Sequence, residues 1–165
     1  METAIALFDL FCSKGAEHFP FVVFSPHTSV ELVRRDTPFL FLNILAAMLV
    51  NNAELQRQLG ENIRTQIYRR MLLGYESNLE LLQGLLVYLA WHHSFMLPHR
   101  HQILLLSHLS VNLVQQLALD QQPKNKRQHL AGECECDPEE PDSASDTNSL
   151  TKLRIMLGTF YISSS

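Results

Sequence analysis

Apolar residues are most concentrated between Glu80 and Phe95, where the chain reads ELLQGLLVYLAWHHSF. Leu81, Leu85 and Leu89 recur every four residues and would form one face of a helix, while other apolar side chains cover the remaining faces. A helix that is apolar almost all the way round belongs in a protein interior. The pattern therefore predicts a central helix surrounded by several others, which a chain of 165 residues can only just supply.

Five other segments have the apolar spacing of a helix. They are residues 2–14, 38–50, 53–73, 99–119 and 149–165. Gly15 is expected to end the first of these helices. Thr37 and Pro38 have the order of an N-cap and a first helical residue, which begins the second. Asn51 and Asn52 are placed to cap the third.

The start of the central helix carries two further signals. Ser77 and Glu80 have the spacing of a capping box, in which the Ser side chain accepts from a helical N–H and the Glu side chain reaches back. Gly84 inside the helix costs roughly 1 kcal/mol relative to Ala. Its presence suggests that a neighbouring helix crosses closely at this point.

Residues 18–26 read HFPFVVFSP and are aromatic and β-branched, with a proline near each end. Because proline cannot donate to a β-ladder and restricts the residue before it, a strand inside a sheet is disfavoured. The segment is predicted to be an extended apolar arm that packs against the body of the protein.

Residues 120–148 differ in composition from the rest, with eight acidic side chains among Pro and Ser residues. Acidic residues among Pro and Ser, with few apolar side chains to bury, predict a disordered acidic linker. Ser149 can then cap a last helix. The predicted fold is all-α: an antiparallel array of about six helices, with residues 1–119 forming the body, residues 120–148 the linker, and residues 149–165 the last helix of the same domain.

Composition limits the classes of function. Apolar residues make up 46% of the chain, enough for one core, and the formal net charge of −4 gives no general attraction to nucleic acid. The longest apolar runs are shorter than the ~18 residues of a membrane span. Three cysteines, with no secretory leader pattern, favour a reducing compartment over a secreted disulfide framework.

Two groups of residues could in principle bind a metal ion. Cys134 and Cys136 are separated by one residue, whereas structural zinc sites place two to four residues between paired cysteines and use a second pair; the remaining Cys12 is far away. Several histidines are close in sequence, and these are His92, His93, His99, His101 and His108. His101 and His108 lie two helical turns apart, without an acidic partner beside them. No metal site is therefore predicted, and these side chains are interpreted as loop thiols and helix-surface imidazoles.

No enzyme signature is present. The sequence lacks a nucleophile elbow, a phosphate-binding loop, a His-Glu-x-x-His pattern and a dinucleotide fingerprint, so no catalytic or cofactor-binding residue and no cofactor are predicted. Lys124, Lys126 and Arg127 form a small basic cluster, interpreted as a solvated patch, with a nuclear-import signal as the alternative. A small-molecule pocket between helices is a further alternative, because such a pocket needs no motif.

Three segments taken together resemble a known family. The middle, regulatory region of fungal zinc-cluster transcription factors is similar to three segments of this chain, which are DTPFLFLNILAAM at residues 36–48, LELLQGLLVYLAWHH at residues 79–93 and MLGTFYISSS at residues 156–165. The arm at residues 18–26 resembles the segment that precedes this region in the family. The resemblance implies an all-α regulatory region, a nuclear location and a role in metabolic or secondary-metabolite gene expression. Without the resemblance, the cytoplasm is the expected location.

The chain departs from that family in two respects. The family's DNA-binding module needs six closely spaced cysteines, which are absent, so no DNA-binding residue and no direct sequence-specific DNA binding are expected. The helical region also ends early, which implies a shortened relative or an incompletely defined gene. Apolar faces left uncovered would favour self-association or pairing with a full-length relative. The alternative is a helical interaction module without a transcriptional role.

Overall fold

The computed structural model describes residues 2–25, 28–91, 100–119 and 143–164. These residues are helical or connect helices, and no β-strand occurs among them, which confirms the predicted all-α class. They form seven helices. The helices are α1 (residues 2–18, with a π-helical turn at Phe11–Gly15), α2 (Val30–Asp36), α3 (Pro38–Met48), α4 (Ala53–Ile67, continued by a π-helical stretch at Tyr68–Leu73), α5 (Leu79–Ala90), α6 (Arg100–Leu119) and α7 (Ser143–Ser163).

Successive helices in the middle of the chain alternate in direction. Gln56, early in α4, donates from Nε2 to the carbonyl of Ala46, late in α3, at 3.1 Å. Arg70, late in α4, pairs with Glu80, early in α5, at 3.0 Å. Helices α3, α4 and α5 therefore run up, down and up, in agreement with the predicted antiparallel array.

Helix α5 is the centre of the fold, as its sequence predicted. It packs against α3 on one side and against α6 and α7 on others. Most of its residues are buried, and they are Leu81, Leu82, Gly84, Leu85, Leu86, Val87, Tyr88 and Leu89. Asn78 caps its first turn by accepting from the N–H of Leu81 at 2.8 Å. The apolar surface of this helix thus finds all the neighbours it needs within the chain.

Gly84 marks the closest approach of α3 and α5. A Cβ atom built on Gly84 would lie 2.5 Å from Cδ1 and 2.6 Å from Cε1 of Phe39, and 3.1 Å from Nδ2 of Asn43. Such distances are far shorter than the ~3.5 Å of normal carbon contacts. The prediction of a close helix crossing at this glycine is confirmed.

The predicted capping box at the start of α5 is wrong. Asn78 takes the capping role expected of Ser77, and Glu80 bonds outside its own helix. Its Oε1 accepts from the backbone N–H of Phe39 at 2.7 Å, in the first turn of α3. Thr37, the expected cap of α3, donates instead to the carbonyl of Val33, so the carboxylate of α5 supplies the cap.

Arg70 completes this junction between three helices. It reaches the second oxygen of Glu80 and also pairs with Glu76 at 2.7 Å. Its guanidinium lies 5.4 Å from the centroid of the Phe39 ring, within the range of a cation–π contact. Glu80 therefore stabilises the positively charged start of α3 while its own charge is balanced from α4.

The first helix is longer than predicted. Gly15 does not end it, because its backbone is helical (φ −64°, ψ −36°) and the chain turns out of the helix only after His18. A Cβ at Gly15 would lie 2.8 Å from Cδ2 of Phe11. The glycine is thus explained by the buried Phe11 ring that covers it rather than by a helix stop.

Two further helix boundaries differ from the sequence prediction. Helix α2 was not predicted; Ser29 begins it by accepting from the N–H of Leu32 at 3.2 Å. Helix α7 begins at Ser143, not at Ser149, because no proline or glycine interrupts residues 143–157 and extending an existing helix is easy. The rest of the predicted acidic linker, residues 120–142, lies outside the described residues.

The predicted apolar arm is confirmed at residues 19–25, which are not helical and bury Phe19 and Val22. The ring of Phe19 lies 6.1 Å from that of Trp91 at the end of α5, and Phe21 lies 5.8 Å from Tyr161 of α7. The arm therefore joins the central helix to the last one.

Candidate protein-interaction surface

Helix α7 has one face on the protein body and one apolar face in solvent. Ile155 and Thr159 are 1% and 3% exposed on the inner face. Gly158 sits directly against the arm, since a Cβ there would lie 2.8 Å from Cβ and Cγ of Phe21. These contacts fix the rotation of the helix and thereby determine which side chains point outward.

The outward face carries four large apolar residues, which we call the α7 seam. They are Leu150, Leu153, Leu157 and Phe160, exposed by 55%, 57%, 61% and 74%. Their spacing of three, four and three residues is the a/d spacing of a heptad repeat, which forms a straight stripe along a helix. Scattered exposed leucines are ordinary, but a stripe of this kind is typical of a helix-pairing surface.

Charge on the described side chains of α7 is sparse and of one sign. Between residues 150 and 164 the charged residues are Lys152 and Arg154, with no acidic residue in that stretch. Met156 and Tyr161 flank the α7 seam and are about half exposed. The seam is therefore an apolar strip with a weakly basic border.

A cleft of about 220 Å³ opens beside the seam, between α5, α6 and α7. Its walls are apolar except for Lys152, and they comprise Leu79, Leu82, Val114, Leu117, Ile155 and Met156. The cleft meets the seam at Met156. Its volume lies below the roughly 300–1,000 Å³ of ordinary small-molecule sites, so it fits a side chain of a partner better than a metabolite.

A second apolar region lies at the junction of α4 and α6. Its exposed side chains are Tyr68, Leu72, Leu73, Tyr75, Leu104 and Leu105. Tyr75 is 86% exposed and has φ = 51°, a left-handed conformation that is unusual for a bulky residue. Here the apolar residues come from two helices and a turn, without the regular spacing of the α7 seam.

Most of the residues considered as metal ligands lie outside the described residues. Cys134, Cys136, His92, His93 and His99 lie outside the described residues, as does the basic cluster of Lys124, Lys126 and Arg127, and the side chain of His101 is not described. His108 is exposed and donates from Nδ1 to the carbonyl of Leu104 at 2.7 Å. Across the described ranges, no three His, Cys, Asp or Glu side chains are grouped as a metal site would require.

Cys12 is the free thiol among the described side chains and faces solvent on α1. Partial burial, assisted by the nearby carboxylate of Asp9, raises the pKa of this thiol above its ordinary value. A raised pKa leaves little thiolate at neutral pH, so the environment of Cys12 is that of an unreactive cysteine.

None of the helices in the part of the chain that the structure covers has the length and hydropathy of a membrane span.

Sequence reasoning missed the α7 seam as a surface. It identified the apolar positions of this helix and expected uncovered apolar faces on the chain, but it did not assign such a face to this helix. The relevant signal was available, because Leu150, Leu153, Leu157 and Phe160 keep strict heptad spacing, whereas the buried helix α5 is apolar on all sides.

An all-α body with an exposed apolar strip on one helix, and with no grouped metal ligands among the residues that the structure describes, is typical of a protein-interaction segment. Comparison with known proteins identifies its homologues as fungal transcription factors, which confirms the resemblance found in the sequence. Transcription factor himD of Aspergillus japonicus is 38% identical over 107 residues, which cover 65% of this chain and 18% of himD. Transcription factor opdL of Penicillium oxalicum is 32% identical over 110 residues, covering 67% of this chain and 19% of opdL.

Transcription factor pbcR of Emericella nidulans is 31% identical over 176 aligned positions, covering 98% of this chain and 22% of pbcR. The chain thus spans about a fifth of the length of these relatives. No protein-family model and no solved structure matches the chain.

Proposed function

We propose that this chain is a regulatory segment of the kind found in fungal zinc-cluster transcription factors, and that it acts on metabolic or secondary-metabolite gene expression through protein contacts. The α7 seam carries the proposal: it is an apolar helix face, regularly spaced, on a body homologous to transcription factors. The nucleus is the corresponding location.

The charge pattern supports protein contact over direct DNA binding. Arg57 on α4 donates to both Glu54 and Glu61, and its hydrogen bonds lower the pKa of Glu54 to about 2. Arg70 is paired with Glu76 and Glu80. Cations neutralised in this way contribute little to a phosphate-binding face, which needs unpaired Lys and Arg on one side of the molecule.

The names of the relatives and the lining of the cleft support a non-enzymatic role. The relatives are named as transcription factors, and the partly buried carboxylate of Glu80 is used as a helix cap at the start of α3. A catalytic role would need titratable groups converging on a cleft, whereas the cleft beside α7 contains one Lys among apolar side chains.

A reporter assay tests the proposal. The chain is fused to a heterologous DNA-binding domain in a fungal host, and reporter output is compared with that of the DNA-binding domain alone. We expect output to change several-fold, and to return to the baseline with Leu157→Lys. Leu104→Lys is the matched control, because Leu104 on α6 is exposed to the same extent, 60% against 61%.

Two results would contradict the proposal. One is reporter output that the fused chain leaves unchanged although it accumulates as a folded protein. The other is nanomolar, sequence-specific binding of the purified chain to DNA at physiological salt, which would replace protein contact by direct recognition.

A further inference from the structure

We infer that the α7 seam pairs with the same seam of a second copy of this chain, in antiparallel orientation. The inference rests on the proposed function in one respect, since it names the partner of the surface assigned there to protein contact.

The spacing of the seam is symmetric. Leu150, Leu153, Leu157 and Phe160 are placed evenly about position 155. When two such helices lie antiparallel with a two-fold axis at this position, Leu150 faces Phe160 of the second copy and Leu153 faces Leu157 of the second copy. Each contact occurs twice and gives four apolar layers, so the surface is complementary to itself, as a two-fold dimer requires.

Antiparallel pairing is favoured over parallel pairing for two reasons. It places each Phe160 ring against the smaller Leu150 side chain instead of against another Phe160 ring. It also sets the two helix dipoles in opposition, with the N-terminus of one helix beside the C-terminus of the other.

The area available matches that of a modest dimer interface. The four seam residues are each more than half exposed. If pairing buried all of this exposed surface on both copies, the interface would approach about 1,000 Å² in total, the lower limit for a specific interface. A monomer–dimer equilibrium in the micromolar range is expected.

The charges beside the seam make the pairing sensitive to salt in a particular direction. Arg154 lies next to the symmetry position, so the two copies of Arg154 approach one another in the dimer. Salt screens this repulsion and strengthens apolar association. Dimerisation should therefore become tighter as salt is added, whereas pairing with an acidic partner helix would become weaker.

Sedimentation equilibrium of the purified 165-residue chain tests the inference. We expect a dimer that tightens with salt and with Arg154→Gln. Leu157→Lys should raise the dissociation constant by at least about 100-fold, because it introduces two lysines into the central layers. Leu104→Lys should leave it unchanged, and circular dichroism establishes that both variants are folded.

Three outcomes would overturn the inference. Two of them are a monomer at all accessible concentrations and a dimer that Leu157→Lys does not weaken. The third is a Leu150→Cys variant in which the new cysteine of one copy forms a disulfide with the same cysteine of the other, because these two positions meet only when the helices are parallel. Failure of the proposed function is separate: a dimer whose fusion does not change reporter output contradicts that function, whereas a monomer that still regulates contradicts only the pairing.

Discussion

Replacing Gly84 by Ala should destabilise the protein, although the same change stabilises most helices. Alanine has a helix propensity about 1 kcal/mol better than glycine. At this site the new methyl group would lie 2.5 Å from the ring of Phe39, so the helices must separate by about 1 Å to reach a normal contact. Phe39 is 1% exposed, and its N–H is held by Glu80, so the ring has little room to move.

Overpacking of a core costs about 1–3 kcal/mol, which at this site outweighs the gain in helix propensity. We expect Gly84→Ala to lower the free energy of unfolding by up to about 2 kcal/mol, measured by urea denaturation monitored by circular dichroism. For a chain of this size a loss of about 2 kcal/mol corresponds to a decrease in melting temperature of roughly 4–8 °C.

A double-mutant cycle with Phe39→Leu identifies the cause. Phe39→Leu alone should also destabilise, because it removes buried volume, but it makes space for the methyl group at position 84. The double variant should therefore lose less stability than the sum of the two single variants. A stabilising effect of Gly84→Ala, or additive effects within error, would refute the reasoning from the close contact.

Three further predictions follow from single side chains. Glu80→Ala should lower the free energy of unfolding by about 2 kcal/mol in the same urea assay, since it removes a charged hydrogen bond to the start of α3. Glu76→Ala is the control, because Glu76 is a more exposed partner of the same Arg70, and it should cost under about 1 kcal/mol. Equal losses would contradict the assigned cap. Tyr75→Gly should raise the unfolding free energy by about 1 kcal/mol, because glycine adopts positive φ without strain, and a lower melting temperature would contradict this. In a chain whose two other cysteines are serines, the alkylation rate of Cys12 should reach half its maximum at a higher pH than that of an unperturbed cysteine in a short peptide, because burial raises the pKa of the thiol. Rapid alkylation at neutral pH would exclude that environment.

The parts of the fold that sequence predicted well depend on regular patterns over a dozen residues or more. Helix α5 is apolar on every side, and a helix of that composition can only be buried. Gly84 was interpretable because a glycine inside such a helix is costly unless a neighbour needs the space. In both cases the sequence and the packing favour the same structure.

The errors occurred where a short local pattern competed with a contact distant in sequence. Ser77 and Glu80 match a capping box, yet Glu80 bonds Phe39, 41 positions away. Both arrangements satisfy a backbone N–H, and the one chosen depends on how α3 is placed, which local spacing does not encode. Helix α2 was missed for a related reason, since its seven residues are too few to show a period.

The candidate surface shows why burial itself is hard to predict for a given helix. From the sequence, the demand for extra neighbours was assigned to the central helix, because it is the most apolar. The structure shows that α3, α6 and α7 cover it, and that the shortage of neighbours falls on α7 instead. The helix at the edge of an array receives contacts on one side only, whatever its composition. Apolar periodicity therefore predicts that one face of a helix packs against another surface, and the position of the helix in the array decides whether that surface belongs to the same chain. For the α7 seam, no such surface occurs among the described residues.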